Sequence, residues 1–295
     1  MKNILLSIII SAFMFTSVYA ETVDEMSKTV VFLRQQVPKK ETIDGKSAEI
    51  FYRPSGTEEF KPMLETNFGT GFVIKHHNRD YLVTAKHVAE KMTQSGEIVI
   101  NLRNEKSTAV TFQSLTDEKS AMPGARWFHH PKADISVHPI RYPANNDVIS
   151  ISENMFQDDK GEVRLLNSAY IVGFPMGLGV LDKLNPVAKE AKLASKLTSV
   201  THPSVRKDLH FYFLDQALSE GYSGAPVFYM EDVMFANAGA PIKISEKAHL
   251  LGLQSSAFSD KSGGKISLVV PISYVYEIFE SSDFKSYEKT PVKKR

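Results

Sequence analysis

Residues 221–226 read Gly221-Tyr222-Ser223-Gly224-Ala225-Pro226, and they open an apolar run, Val227-Phe228-Tyr229. A serine hydroxyl is a poor nucleophile unless a constrained turn exposes it beside a base. Glycines on both sides let the backbone turn sharply and aim two N–H groups at one point, as an oxyanion hole requires. Chance alone places a G-x-S-G-x-P segment in roughly one chain of this length in a few hundred. A plain Gly/Ser/Pro turn between strands accounts for the same residues, so by itself the segment leaves both readings open.

Two upstream segments bear on the choice. Tyr81-Leu82-Val83-Thr84-Ala85-Lys86-His87-Val88 is an apolar strand that delivers a histidine at its end. Ala133-Asp134-Ile135-Ser136-Val137 places an aspartate just before a strand. Either residue alone fits an ordinary structural role. Their order is His87, Asp134, Ser223, with gaps of 47 and 89 residues. Among Ser–His–Asp hydrolases that order belongs to the chymotrypsin arrangement; α/β-hydrolases run Ser, Asp, His and subtilisins Asp, His, Ser.

The rest of the chain is consistent with an all-β protein. Short runs rich in Val, Ile, Tyr and Phe recur, among them Thr29–Leu33, Gly71–Ile74, Ile98–Leu102, Val163–Leu166, Ala169–Val172, His210–Leu214, Leu250–Gln254 and Ile266–Val270. Turn clusters such as His76-His77-Asn78-Arg79-Asp80 separate them, a pattern of sandwiches or barrels. The polar stretch Tyr142–Gly161 reads as the connection between two β units. After Pro271, Ile272, Val275, Tyr276, Ile278 and Phe279 repeat at helical spacing and predict a terminal helix over about 271–282. A shorter helix is expected after His87.

Composition narrows the chemistry. The 295 residues are 42% hydrophobic and 23% charged, ordinary values for a globular chain. Lys plus Arg is 35 against 34 for Asp plus Glu, so no basic excess points to nucleic acid. Zero cysteines exclude disulfides, thiol nucleophiles and zinc–thiolate sites. Residues 1–20 read as a signal peptide: Lys2 and Asn3, an apolar run from Ile4 to Phe15, then Val18-Tyr19-Ala20 for a signal peptidase. That run is too short to span a bilayer, which takes ~20 apolar residues. With Lys2 removed, 34 basic residues face 34 acidic ones. The expected product is an exported protein starting near Glu21, free of a membrane anchor, in the periplasm or secreted.

The chain resembles the trypsin-like serine proteases, and their cysteine-free bacterial HtrA (DegP-like) branch in particular. Gly69-Thr70-Gly71-Phe72-Val73-Ile74 is similar to the family's strand before the histidine motif, and Thr84-Ala85-Lys86-His87-Val88 to that motif. Ala133–Val137 resembles the aspartate motif, and Ile171-Val172-Gly173-Phe174-Pro175-Met176-Gly177-Leu178-Gly179 a segment typical of HtrA proteases. Gly252-Leu253-Gln254-Ser255 and Val269-Val270-Pro271-Ile272 resemble the substrate-binding strand and the closing segment. The resemblance implies two antiparallel six-stranded β-barrels: 21–150 carrying His87 and Asp134, and 151–295 carrying Ser223, the C-terminal helix and a basic tail. It implies His87, Asp134 and Ser223 as catalytic residues and the backbone N–H groups of Gly221 and Ser223 as the oxyanion hole. Ala217 is implied at the floor of the S1 pocket, and Leu253, Gln254 and Ser255 beside an extended polypeptide substrate. No cofactor is implied.

The chain also departs from its relatives. Tyr222 stands where digestive and clotting enzymes carry the aspartate of their activation switch, and Ala225 replaces a usual glycine. Only 23 residues follow Ile272, too few for the PDZ domain that HtrA proteases carry. Residues 37–67 form an extra charged stretch. The pairs His76-His77 and His129-His130 invite a zinc reading, but neighbours on a strand point to opposite faces, and surface histidines with no metal are expected. The function implied is an exported serine endopeptidase cleaving after small or aliphatic residues. A catalytically silent relative that binds extended peptides is the alternative. Oligomeric state, monomer or trimer, stays open.

Overall fold

The computed structural model describes residues 24–43, 45–103, 106–116, 124–157, 163–201, 208–230, 248–259 and 261–289. The expected signal peptide lies outside the described residues, as do residues 290–295 of the basic tail. The chain opens with β1 (Val30–Pro38), then two small hairpins, β2 (Lys40–Ile43) with β3 (Lys46–Glu49) and β4 (Phe51–Tyr52) with β5 (Lys61–Pro62). These hairpins occupy the charged stretch 37–67. There follow β6 (Leu64–His76), β7 (Arg79–Thr84), β8 (Glu97–Ile100), β9 (Thr108–Thr111), β10 (Phe128–His129), β11 (Ser136–Pro139) and β12 (Ile151–Ser152). The first sheet runs β10-β11-β7-β6-β1-β8-β9, with β12 added parallel to β6.

The second sheet is built from β13 (Ser168–Gly173), β14 (Val187–Lys192), β15 (Thr198–Thr201), β16 (Asp208–Leu214), β17 (Pro226–Tyr229), β18 (His249–Ser259) and β19 (Lys265–Pro271). Its order is β14-β13-β17-β18-β19-β16-β15. An antiparallel bridge from Leu193, just past β14, to Leu214 on β16 joins the two sides of this ladder. The bonds Ala194 N–H to the Phe213 carbonyl (2.7 Å) and Asp215 N–H to the Lys192 carbonyl (3.0 Å) reinforce it. Six strands thus close on themselves, with β15 as an outer addition. The architecture is all-β and antiparallel apart from β12, and chymotrypsin-like, as the sequence implies.

Strand sequence explains the layering. Along β19, Val269 faces the interior of the second unit with Ile171, Val227 and Leu251. Its neighbours Leu268 and Val270 face the other way, into the large core shared with the first sheet and the C-terminal helices. Side chains alternate across a strand, so a strand covered on both faces reads as a continuous apolar run. Val163–Leu166, expected as a strand, is not one. Leu166 has φ 66° and is 70% exposed, and pairing begins only at Ser168.

The terminal helix is two helices, Ser273–Glu280 and Ser282–Glu288. Ser281 is extended (φ −63°, ψ 146°), and its hydroxyl accepts from the Phe284 N–H at 3.2 Å, capping the second helix. Tyr274, Val275, Ile278 and Phe279 form the buried face of the first helix, while Tyr276 is half exposed. No helix among the described residues is long and apolar enough to cross a membrane.

Candidate active site

His87 sits in a four-residue helical turn, Lys86–Ala89, directly after β7. Tyr81, Leu82, Val83 and Thr84 are fully buried, so the strand is held rigidly and presents its end at the rim of the sheet. Asp134 precedes β11, which pairs with β7 through Ser136↔Thr84 and Val137↔Val83. That register brings the aspartate to the histidine. His87 Nδ1–H donates to Asp134 Oδ2 at 2.8 Å, and the His87 backbone N–H donates to Oδ1 at 2.9 Å. Both carboxylate oxygens are engaged.

The loop carrying Asp134 is itself pinned. The His130 ring, almost fully buried, accepts at Nδ1 from the Ala133 N–H (2.7 Å) and the Lys132 N–H (3.2 Å). The acceptor Nδ1 fixes the tautomer, leaving Nε2–H to donate to Glu277 at 2.9 Å. His130 was expected on the surface. It is buried because the turn at 131–133 folds over it and supplies its partners.

Ser223 lies across the interface between the two sheets. Gly221 (φ 96°) and Gly224 (φ 84°) flank it in the left-handed region. A Cβ on Gly221 would meet the Phe174 carbonyl at 2.3 Å, and one on Gly224 the Thr84 hydroxyl at 2.1 Å. Thr70, fully buried on β6, ties this turn to the first sheet. Its N–H donates to the Ser223 carbonyl (3.0 Å), and its hydroxyl donates to the Gly221 carbonyl (2.7 Å) while accepting from the Phe174 N–H (3.1 Å). The Met176 N–H donates to the Glu220 carbonyl at 2.7 Å, holding the preceding peptide. With those carbonyls held, the N–H groups of Gly221 and Ser223 carry no hydrogen bond among the described residues and remain free to bind an oxyanion.

Ser255 on β18 joins the two halves. Its hydroxyl donates to Asp134 Oδ2 at 2.5 Å, and its carbonyl accepts from the Ser223 hydroxyl at 3.3 Å. Burial pushes the Asp134 carboxyl up, but the His87 ring bond and charge, the Ser255 hydroxyl and the His87 N–H together hold it below the usual carboxylate range. No hydrogen bond joins the Ser223 hydroxyl to the His87 ring. Such bonds are often long before substrate arrives.

The expected substrate residues divide. Leu253 is fully buried in the core, and the Gln254 N–H and C=O are bonded to Ala225 (2.9 Å) and Gly224 (2.7 Å). Neither backbone is free for a substrate, because β18 is paired on both sides there. Pairing with β17 ends at Leu253, so an open edge begins on that side of β18 at Ser255, while Ala257–Ser259 stay paired with β19 beyond the register break after Gln254. Ala217 is half-buried, and its carbonyl accepts from the Lys189 ammonium at 3.2 Å, an association the sequence did not suggest. Tyr222 is buried, its hydroxyl donating to the Val187 carbonyl at 3.3 Å.

The chain matches the trypsin-like peptidase domain over residues 69–235, more than half its length and spanning all three motif residues. It belongs to the trypsin-like peptidase family. Its fold is similar to that of the MamO protease domain from Magnetospirillum magneticum in its apo form. That match has a TM-score of 0.50 at 10% identity and covers 87% of this chain and 98% of the other. No curated protein matches the chain. For this trypsin-like peptidase the similarity to MamO speaks to fold alone; the chemistry has to be argued from the cluster of His87, Asp134, Ser223 and Ser255.

One adjacent-histidine pair follows the expected alternation of faces and the other does not. His129 is exposed and its Nδ1 lies 2.6 Å from the Ser136 hydroxyl, whereas its neighbour His130 is buried. His76 and His77 do not point to opposite faces: their rings stack at 3.9 Å. The alternation rule ends at His76, because His77 (φ 44°) and Asn78 (φ 62°) already form the turn between β6 and β7.

Proposed function

We propose that this protein is an exported serine endopeptidase acting through His87, Asp134 and Ser223, a member of the HtrA-like branch. The observation that carries the reading is the doubly bonded His87–Asp134 pair, set beside a serine whose flanking N–H groups are free. Asp134 fixes the tautomer of His87 and stabilises the imidazolium. His87 takes the Ser223 proton as the hydroxyl attacks a peptide carbonyl, then donates it to the leaving amine. The N–H groups of Gly221 and Ser223 bind the oxyanion, each worth about 3–4 kcal/mol in comparable enzymes. Water hydrolyses the acyl-enzyme on Ser223.

The polypeptide substrate lies as an added strand along the edge that begins at Ser255, with main-chain bonds giving affinity. Ala217 offers no partner for a basic side chain, and the Lys189 ammonium at its carbonyl disfavours one further. Cleavage after small or aliphatic residues follows. A peptide library that returned a preference for Arg or Lys would overturn this specificity.

One observation favours a second reading. The Ser223 hydroxyl bonds the Ser255 carbonyl instead of the His87 ring, an arrangement suited to a silent relative that only binds extended peptides. Labelling by a fluorophosphonate separates the two. Labelling of the folded protein that disappears in Ser223→Ala supports the endopeptidase. Peptide binding without labelling supports the silent relative.

A further inference from the structure

We infer that the turn between β6 and β7 and the C-terminal helix together form a zinc-binding site, built from His76, His77 and Glu288. The three ligand atoms lie within 4.8 Å of one another. His77 Nδ1 is 3.0 Å from Glu288 Oε1, and His76 Nε2 is 3.7 Å from the same oxygen. Ligands held ~2.0–2.1 Å from one tetrahedral zinc ion stand about 3.3–3.4 Å apart, and the two separations to Glu288 bracket that distance. Two imidazoles and one carboxylate suit zinc over calcium or magnesium, which take oxygen.

The surroundings supply what such a site needs beyond its ligands. His76 is buried, and its ring is stacked between His77 (3.9 Å) and Phe279 (3.9 Å), which fixes its plane. Its Nδ1–H donates to Glu153 Oε1 at 2.6 Å. That bond sets the tautomer and leaves the Nε2 lone pair facing Glu288, the carboxylate–histidine–metal relay seen in zinc proteins. His77 is 70% exposed at its side chain, so the fourth position opens to solvent and to an entry path. The ligands come from the β6–β7 turn and the helix Ser282–Glu288, with the 3₁₀ turn Glu153–Met155 behind them. A bound ion therefore clamps the C-terminal helix onto the first sheet. The inference is independent of the proposed peptidase activity.

Calorimetric titration of zinc into the untagged, chelator-treated full-length mature protein tests it, with thermal unfolding measured alongside. The expected result is one zinc per chain and a raised Tm, unchanged in Ser223→Ala. Glu153→Gln, which leaves all three ligands in place, weakens zinc binding about 10–100-fold. His77→Ala, a change at an exposed side chain, and Glu288→Gln weaken it more than that. Cobalt substitution gives the intense visible absorption of a tetrahedral site in the unaltered protein and loses it in His77→Ala. Absence of zinc binding, or binding that persists in the His77→Ala, Glu288→Gln double variant, overturns the inference.

Discussion

The Ser255 hydroxyl stands 2.5 Å from Asp134 Oδ2, the same oxygen that accepts from the His87 ring. Asp134 thus takes three hydrogen bonds, from the His87 ring, the His87 N–H and Ser255, and its orientation is over-determined. Hydrogen bonds to a charged group contribute about 1.5–3 kcal/mol. Ser255→Ala is therefore expected to lower kcat/KM by about 10–100-fold while Ser223 still takes a fluorophosphonate, slowly. Because Ser255 acts through Asp134, its loss should also let the Asp134 carboxyl rise towards the ordinary carboxylate range. An NMR titration of the Asp134 side chain in both proteins checks this; an unchanged titration would mean that Ser255 does not hold the carboxylate.

Thr70 connects the serine turn to the first sheet through its N–H, its hydroxyl and its carbonyl, the last accepting from the Thr84 hydroxyl at 2.7 Å. Thr70→Val keeps the shape but strands the Gly221 carbonyl and the Phe174 N–H, two buried groups that cost about 1–3 kcal/mol each when unpaired. The expected outcome is about 2–5 kcal/mol of lost stability with a larger loss of activity than of folded protein. Thr70→Ser retains the hydroxyl and should recover most of both. Urea unfolding with parallel active-site labelling reads the two effects separately.

Gly221 and Gly224 differ in what surrounds them from the glycines at exposed turns. Gly221→Ala places a Cβ against the Phe174 carbonyl and the Met176 N–H in a backbone region that side chains rarely adopt. Neither neighbour is a flexible side-chain end, so the turn must move. Activity should fall by at least two orders of magnitude, since about 3–4 kcal/mol rests on each displaced oxyanion donor. Gly263→Ala is the control: it shares a positive φ (92°) but meets nothing within 4 Å. It should cost about 1 kcal/mol of stability and no activity. Equal effects of the two substitutions in activity assays would show that the Gly221 N–H is not used.

Much of this site was readable from the sequence because its parts are local. The glycine–serine turn, the histidine ending an apolar strand and the aspartate opening another are each fixed by a few consecutive residues, and the chain order supplied their relation. Ser255 was legible as a residue near the substrate but not as a partner of Asp134. Their contact spans 121 residues and depends on where the β18–β19 register breaks. The buried position of His130 was not readable because two of its partners are backbone N–H groups, which carry no residue signature, and the third, Glu277, lies 147 residues along the chain. The strand β6 begins seven residues before the apolar run that announced it; Leu64, Glu65 and Thr66 are exposed and are extended only because β1 pairs with them. The split of the terminal helix at Ser281 was hidden because the apolar spacing runs on through Phe284 and Tyr287, which are also buried.

His138 offers a test of how the first sheet responds to acid. It is 2% exposed on β11, packed edge-on against Phe112 and Trp127, and its Nδ1–H donates to the Pro139 carbonyl at 2.6 Å. Burial pushes its pKa down from 6.5 to about 4. In the unfolded chain the ring protonates near the ordinary value, so between 6.5 and about 4 the unfolded state binds a proton that the folded state does not. Stability therefore falls as the pH drops through that window, by roughly 3 kcal/mol in total, and levels off below the folded value. His138→Phe keeps the aromatic packing and has no proton to bind, so it should flatten this part of the stability curve. The substitution should cost about 1–3 kcal/mol at neutral pH, where the Pro139 carbonyl loses its donor, and that cost should shrink towards pH ~4.5. Urea unfolding of both proteins across the window decides the matter: parallel curves would show that some other group governs the acid sensitivity of the first sheet.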